Sequence, residues 1–225
     1  MEKKRQWLLT TTLFISLGLA ACGSQSVLSQ TEANNQTTTK TSTNSTAAIT
    51  GTSTYFEASD LTATYDESKA SKISLQGTTA TVSGNGVTVN GSTVEITAAG
   101  TYIVEGTASK VQLKVAAGKE DEVQIVFKNA TLKNTEAPLL VDAAKKVILT
   151  VADGTKNEVS DESTSTVKGA IYSDSDLTIN GKGSLTVNGN ASNAIKSKDG
   201  IRIVDATVTT TAKKHGIAAN DFVNV

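Results

Sequence analysis

Four aspartates stand at turn positions of a repeated pattern: Asp174, Asp176, Asp199 and Asp221. If the repeats stack, Asp199 lies beside Asp221, about one ladder spacing away, which is unfavourable unless a positive charge comes near these four carboxylates. Calcium suits such a place, because it accepts about six to eight oxygen ligands in irregular geometry. Two other interpretations stay open. The residues cap tight turns, as Asp, Asn and Ser commonly do, or Lys198 supplies the positive charge.

A second set of side chains could contact an acidic glycan: Tyr172, Lys196, Lys198, Lys213 and Lys214. Ammonium groups donate charge-assisted hydrogen bonds to carboxylates such as those of uronates. Tyr172 follows an isoleucine that should point inward, so its ring is predicted to point outward as a sugar platform. Four asparagines could bind sugar hydroxyls: Asn180, Asn188, Asn190 and Asn193. Singly, each lysine also fits a solvated surface and each asparagine a turn, so the prediction concerns the row as a whole.

Enzymatic chemistry has few candidate residues in this sequence. His215 is the only histidine, and no nucleophile or carboxylate pattern accompanies it. A lyase could use Arg202 or Lys196 as a base beside calcium, but position favours neither. A third class, an adhesin or spacer without a glycan ligand, also stays open, because stacked β repeats form rods.

The elements that carry these residues are short strands in a repeat. Segments aligned on Ile171, Ile195 and Ile217 agree without internal gaps and are 24 and 22 residues apart. Apolar, largely β-branched residues alternate with polar ones, which is typical of half-buried strands. A repeat of this length without a helix predicts an all-β fold, a parallel β-helix of about seven coils of about 23 residues over 55–225.

The runner-up architecture is a β-sandwich, above all for residues 55–115. Two hairpin signals occur there, Gly84-Asn85-Gly86 and Asn90-Gly91. The fixed repeat favours the β-helix.

The N-terminus predicts export and lipid anchoring. Residues 1–21 combine Lys and Arg with an apolar run too short and Thr-interrupted for a convincing membrane span. The run ends in Leu19-Ala20-Ala21-Cys22, which resembles a bacterial lipobox, so Cys22 is the predicted lipidation site. Residues 22–54 are rich in Thr, Ser, Asn and Gln and predict a disordered tether. The domain at 55–225 is thus expected outside the cell, anchored to the membrane.

Composition narrows the functional classes. The formal net charge of −1 argues against nucleic-acid binding. The chain is 38% hydrophobic but only 4% aromatic, which indicates a core of aliphatic side chains. A single cysteine excludes an intramolecular disulfide, and we expect a monomer.

Several longer stretches resemble a known family. They are "FEASDLTATYDESKASKISLQG", "GVTVNGSTVEITAAGTYIVEGT", "VILTVADGTKNEVSD" and "AIYSDSDLTINGKGSLTVNGN" followed by "AIKSKDGIRI". In order and spacing they are similar to bacterial carbohydrate-binding β-helix proteins related to a clostridial polysaccharide-binding protein. The resemblance covers nearly all of 55–225.

The resemblance implies a right-handed parallel β-helix, calcium at the coil turns, and binding of cellulose or of acidic sugars such as polygalacturonate. It also implies an architecture like that of calcium-dependent pectate lyases. Such proteins usually continue through more coils, whereas this sequence stops at Val225 within a repeat, which suggests a fragment. We therefore expect a lipid-anchored extracytoplasmic protein that binds polysaccharide without catalysis, with calcium assisting.

Overall fold

The structure is a computed structural model that describes residues 55–225. Within that range it contains eighteen strands and no helix. No described helix is therefore long and apolar enough to cross a membrane. The predicted signal peptide at 1–21, the lipidation site Cys22 and the tether at 22–54 lie outside the described residues. The all-β class is confirmed.

The strands follow one another in short segments along the chain. Their bounds are β1 (Ser71–Gly77), β2 (Thr79–Ser83), β3 (Val87–Asn90), β4 (Thr93–Ile96), β5 (Gly100–Ser109), β6 (Gln112–Ala116), β7 (Glu122–Asn134), β8 (Leu139–Ala143), β9 (Lys146–Val151), β10 (Lys156–Asp161), β11 (Gly169–Ser173), β12 (Asp176–Gly181), β13 (Ser184–Gly189), β14 (Asn193–Ser197), β15 (Ile201–Val204), β16 (Thr207–Ala212), β17 (Ile217–Ala218) and β18 (Val223–Asn224).

The strands form two sheets, and both are mixed. The eleven-stranded sheet has the order β16-β13-β10-β7-β9-β12-β15-β18, with β5 also on β7, β1 on β5 and β2 on β1. The seven-stranded sheet has the order β17-β14-β11-β8-β6-β4-β3. The pairs β1–β2 and β3–β4 are antiparallel. The other pairs are parallel, with β4 on β6 the first parallel pair of the smaller sheet.

One of the two hairpin signals marks a hairpin. Asn90 pairs with Thr93 across a turn that contains Gly91, whose φ is +61°. A positive φ suits glycine there, because it has no Cβ. The other signal, Gly84-Asn85-Gly86, connects β2 to β3, which lie in different sheets.

The three aligned repeats lie in register. Ile171 pairs with Ile195, and Ile195 pairs with Ile217, in parallel strands of the seven-stranded sheet. This stacking of the repeats confirms the alignment. Ile171 and Ile195 are completely buried. A slip of one residue would turn such side chains out to water, at about 1.5–3 kcal/mol for each.

The long strand β7 divides the larger sheet into two branches. Its first half, residues 122–127, pairs with β9, and its second half, residues 131–134, pairs with β10. Between the halves Asn129 has a φ of +57°, which bends the strand. We call β9, β12, β15 and β18 the β9 branch, and β10, β13 and β16 the β10 branch.

The core lies between these strands and consists of aliphatic side chains, as the composition predicts. Along β12, Leu177 and Ile179 point inward, and along β15 Ile201 does the same. The strand β9 differs from a half-buried strand, because all six of its residues are buried, on the inner and on the outer face of the sheet. Its outer face is covered by the first described residues, 55–64, which we call the strap.

Candidate functional site

The outward side chains of the seven-stranded sheet form a continuous row, which we call the Tyr172 row. Its members pair successively across parallel strands: Glu95, Lys114, Leu140, Tyr172 and Lys196. Neighbouring members are separated by one strand spacing, about 4.8 Å. The row therefore runs across the strands and presents side chains at regular steps, as a polymeric ligand requires.

Tyr172 lies at an open cavity of about 260 Å³. Leu140 and Ala137 supply apolar surface, and Gln112 lies at its edge. The Lys168 Nζ stands 5.8 Å from the centre of the Tyr172 ring. Ile171 is buried and Tyr172 is half-exposed, which confirms that Ile171 points inward and the Tyr172 ring points outward. An aromatic ring with an ammonium group beside it can hold the apolar face of a sugar and a nearby carboxylate.

The hydroxyl of Tyr172 stays protonated. Burial raises its pKa above the ordinary tyrosine value, and Asp174 raises it further, while Lys198 opposes the rise. Lys198 Nζ lies 2.6 Å from Asp174 Oδ2, and this hydrogen bond raises the pKa of Lys198. Tyr172 can therefore donate a hydrogen bond, and Lys198 remains a cation.

The predicted lysines do not all join the row. Lys196 belongs to it and donates a hydrogen bond to Asn220. Lys213 and Lys214 lie in the turn between β16 and β17, outside the row, with exposed side chains. The structure thus brings Tyr172, Lys196 and Lys198 together and leaves the other two on a neighbouring turn.

The four predicted asparagines bind protein groups. Asn180 donates to the backbone of the strap, at 3.0 and 3.1 Å. Asn190 donates to Asp161 O, and Asn193 donates to Lys168 O, each at 2.6 Å. Asn188 reaches a glutamate at 3.4 Å. These hydrogen bonds to the protein itself agree with the alternative interpretation, in which the asparagines support the fold instead of binding sugar.

The four predicted metal-binding carboxylates are close enough to influence one another. Burial raises the pKa of Asp199, and the charges of Asp176, Asp221 and Asp174 raise it further. Asp174 binds Lys198, the partner that the sequence offered as an alternative to calcium. Among residues 55–225, no group of three or more His, Cys, Asp or Glu side chains is placed to hold a metal ion.

The carboxylate of Asp176 is also partnered. Its Oδ2 lies 3.1 Å from Arg202 Nη1, and its Oδ1 accepts the Gly200 N–H at 2.9 Å. The Arg202 guanidinium is 4.7 Å from the Phe222 ring, and its Nε donates to Tyr55 O at 3.0 Å. Arg202, one candidate for a lyase base, is thus buried and held by several groups. The single histidine, His215, contacts the Asn193 amide at 3.0 Å.

The family model that matches this chain is "Carbohydrate-binding domain-containing protein", over residues 90–225. That range is more than half of the chain and contains the Tyr172 row. The chain belongs to this family.

One relative agrees with this membership of the carbohydrate-binding family, and one solved structure shares the fold. A carbohydrate-binding domain-containing protein of Acetivibrio thermocellus is 34% identical over 137 residues, which cover 57% of this chain and 48% of the relative. The chain therefore spans about half the length of that relative. The solved structure of a polysaccharide lyase-like protein from C. thermocellum, a gadolinium derivative, superimposes with a TM-score of 0.60. It is 24% identical, covering 69% of this chain and 81% of that one, and this likeness shows the fold alone.

This carbohydrate-binding domain also holds a buried charge cluster that the sequence did not reveal. Asp60 of the strap is 0% exposed, and Lys146 of β9 is 2% exposed. Their Oδ1 and Nζ atoms are 3.0 Å apart, and Thr178 donates to the same oxygen at 2.6 Å. In the β9 sequence "KVILTV", Ile148 breaks the alternation of polar and apolar residues, and this is a sequence signal that the outer face of the strand is covered.

Proposed function

We propose that this protein is a lipid-anchored extracytoplasmic protein whose domain binds polysaccharide, without catalysis, along the Tyr172 row. Membership of the carbohydrate-binding family supports the class of ligand. The observation that carries the proposal is the row itself, in which a lysine, an aliphatic side chain, an aromatic ring and a second lysine follow one another at one strand spacing. A glycan chain lying across the strands would meet one row member after another.

The fold that we propose for this domain is a right-handed parallel β-helix. Successive strands β8, β9 and β10 enter the seven-stranded sheet, the β9 branch and the β10 branch, and β11, β12 and β13 repeat that order. One such cycle corresponds to the sequence repeat. The antiparallel hairpins at β1–β2 and β3–β4 would then close one end of the stack, where unpaired strand edges invite aggregation.

The roles of the row residues follow from their chemistry. The Tyr172 ring would stack on a pyranose, and its hydroxyl would donate to the sugar. Lys114 is already paired, since Glu95 and Asp142 each lie 3.3 Å from its Nζ. The charges for a uronate would therefore come from Lys196, which pairs with Tyr172 in the sheet, and from Lys168, which precedes β11 and lies near the ring. A neutral glycan such as cellulose would use the ring and Leu140.

Calcium assistance is a further part of the proposal, at the turns with Asp174, Asp176, Asp199 and Asp221. The oxygen donors suit a hard cation, but Lys198 and Arg202 already neutralise two of the carboxylates. An ion would have to displace those cations, so the fit is incomplete and the binding model uses no calcium. Calorimetry on a chelator-stripped sample tests the ion directly, and absence of both heat and thermal stabilisation would remove calcium from the proposal.

Anchoring through Cys22 is proposed from the sequence alone. A diacylated cysteine would hold the protein at the membrane, because each buried methylene contributes about 0.8 kcal/mol. Cys22→Ala should move the protein from the membrane fraction to the soluble fraction. Retention of the variant in membranes would argue against the lipid anchor.

The function is tested by binding of polygalacturonate and cellulose to Tyr172→Ala and Lys196→Ala. Loss of the ring should weaken both interactions by about tenfold, equivalent to about 1.4 kcal/mol. Loss of the ammonium group should weaken polygalacturonate binding only. Lys182→Ala is the control, because that exposed lysine lies between β12 and β13, in the other sheet.

The same samples separate the alternatives. A lyase would release unsaturated uronates that absorb ultraviolet light, whereas we expect none with or without calcium. An adhesin would attach to a protein or host surface in a way that free polysaccharide does not compete. Unchanged binding in Tyr172→Ala would refute the row as the glycan site.

A further inference from the structure

The buried cluster under the strap has the composition of a carboxylate-binding site. Lys146, Thr178 and Arg202 come from β9, β12 and β15, three strands stacked side by side. All three donors converge on the Asp60 carboxylate, with Arg202 Nε 3.4 Å from Oδ2. Lys146 and Thr178 donate charge-assisted hydrogen bonds to Oδ1, whereas Arg202 adds an ion pair, since its Nε–H donates to Tyr55 O. These contacts depend on the carboxylate group, which uronic acids also carry.

The three side-chain donors belong to the sheet, whereas the Asp60 carboxylate and the Glu57 N–H that donates to its Oδ2 at 2.7 Å belong to the strap. Thr178 pairs in register with Arg202, and both side chains point away from the core. They are buried because the strap covers them, and the strap lies N-terminal to the family match at 90–225. Exchange of Asp60 for another carboxylate would leave the charge at the site unchanged. Such an exchange avoids the penalty of an unpaired buried cation.

An open cavity adjoins the strap on the same sheet surface. Its volume is about 340 Å³, and Ser59 and Thr62 of the strap form one wall. Ile148 and Gln124 form part of the other wall, and Gln124 donates to Thr150 at 3.0 Å. A sugar could occupy this cavity while the strap is in position. Lys146 does not line this cavity but pairs in register with Glu122, which does, so a uronate bound there would reach Lys146 only by displacing Asp60.

We propose that Lys146, Thr178 and Arg202 form a second glycan site, which takes the carboxylate of a uronate residue and which Asp60 occupies in cis. The inference rests on the proposed polysaccharide-binding function. The strap thereby limits uronate binding at this surface. The Glu57–Lys146 ion pair adds little to the competition, since Glu57 is 57% exposed.

The experiment compares the full chain with its Asp60→Asn variant. The amide keeps the shape of the side chain but removes its negative charge. An added uronate carboxylate should then bind Lys146, Thr178 and Arg202 in preference to the amide. Titration calorimetry with oligogalacturonate should show binding at least about tenfold tighter in the variant, the effect of one charge-assisted contact. Fully methyl-esterified oligogalacturonate should show no gain. Free galacturonate distinguishes recognition of the carboxylate alone from recognition of the chain.

The matched control is Asp66→Asn. Asp66 is an exposed carboxylate of the same N-terminal region that binds Ser68 and Lys69, so its loss should leave affinity unchanged. Addition of Lys146→Met to Asp60→Asn should abolish the gain. In the unaltered chain, saturating oligogalacturonate should accelerate amide hydrogen exchange at Glu57 and Asp60, whose N–H groups are bonded within the strap.

The inference is overturned if folded Asp60→Asn binds oligogalacturonate as the unaltered chain does. If that variant does not fold, unchanged strap exchange in the unaltered chain with saturating ligand overturns it equally. A gain with acidic peptides but not with oligogalacturonate would assign the site to a protein partner and refute the glycan. The gain in oligogalacturonate affinity should persist when Tyr172→Ala is added to Asp60→Asn, because Tyr172 is not part of the second site. If the unaltered chain binds glycan and only the gain is missing, this inference fails while the proposed function stands.

Discussion

Lys146→Met tests whether the buried cluster joins the strap to the cooperative fold. The substitution keeps an unbranched side chain of similar length but leaves Asp60, which is completely buried, without its nearest cation. Removal of one partner from a buried ion pair costs about 3–5 kcal/mol. Thr178 and Arg202 still contact Asp60, so we expect the lower end, about 3 kcal/mol. For a domain of 150–250 residues that corresponds to a fall in Tm of about 6–12 °C.

The control for this prediction is the adjacent residue. Lys145 also forms an ion pair, 2.8 Å from Glu122, but both side chains are more than one third exposed. Lys145→Met should therefore cost less than about 1 kcal/mol. Urea unfolding followed by circular dichroism measures both variants under the same conditions. Equal losses for the two variants, or a loss below about 1 kcal/mol for Lys146→Met, would refute the reasoning from burial.

The pH dependence supplies a second measure of the same contact. Burial by itself raises the pKa of Asp60, but the hydrogen bonds from Thr178, the Glu57 N–H and Lys146 outweigh it and lower the pKa. The stabilisation from this carboxylate is then fully present above its unfolded pKa, about 3.9. It is lost as the pH falls through the lower folded value. The stability difference between Lys146→Met and the unaltered chain should therefore shrink below about pH 4.

Two further substitutions test other parts of the fold. Burial raises the pKa of Asp161, partly offset by the N–H groups of Ala191 and Asn190, and its Oδ2 is buried without a hydrogen-bond partner among the described residues. Its contribution to stability falls as the pH rises through the unfolded and then the folded pKa of Asp161. Asp161→Asn should therefore raise Tm at pH 7 and have a smaller effect at pH 3. A lower Tm of the variant at pH 7 would contradict this. Ile195→Ala should lower the free energy of unfolding, measured in urea, by about 2–5 kcal/mol. Ile217→Ala, in the same ladder but only half-buried, should lower it by less. Equal losses would contradict the reasoning from burial.

The stacking of the repeats could be predicted because it depends on local information. Alternating residues decide which side chains point inward, and the gapless alignment of Ile171, Ile195 and Ile217 then allows one register with all three isoleucines on the inner face. The outward orientation of Tyr172 and its pairing with Lys196 follow from that register. The proximity of the four aspartates follows for the same reason, since turn positions stack with the strands.

The covered surface could not be predicted, because its contacts join distant parts of the chain. Asp60 is separated by 86 residues from Lys146 and by 118 residues from Thr178. No repeat or periodicity links those positions. The sequence offers Arg202 only as a possible base, since the burial of its side chain depends on the strap. A buried lysine at the start of β9 is unusual without a partner, but the sequence does not identify which carboxylate provides it.

The connection from β11 to β12, which carries Asp174 and Asp176, joins the two proposed glycan surfaces. Asp174 pairs with Lys198 beside Tyr172, while Asp176 pairs with Arg202 beneath the strap. Burial and the charges of both aspartates raise the pKa of Asp199. A uronate that replaces Asp60 near Arg202 would act on Asp176, which is linked through Asp199 to Asp174, the carboxylate that influences Tyr172. Since groups that share partners do not behave independently, we expect the effects of Asp60→Asn and Tyr172→Ala on oligogalacturonate affinity to depart from additivity in a double-mutant cycle. Additive effects would show that this connection does not transmit charge between the surfaces.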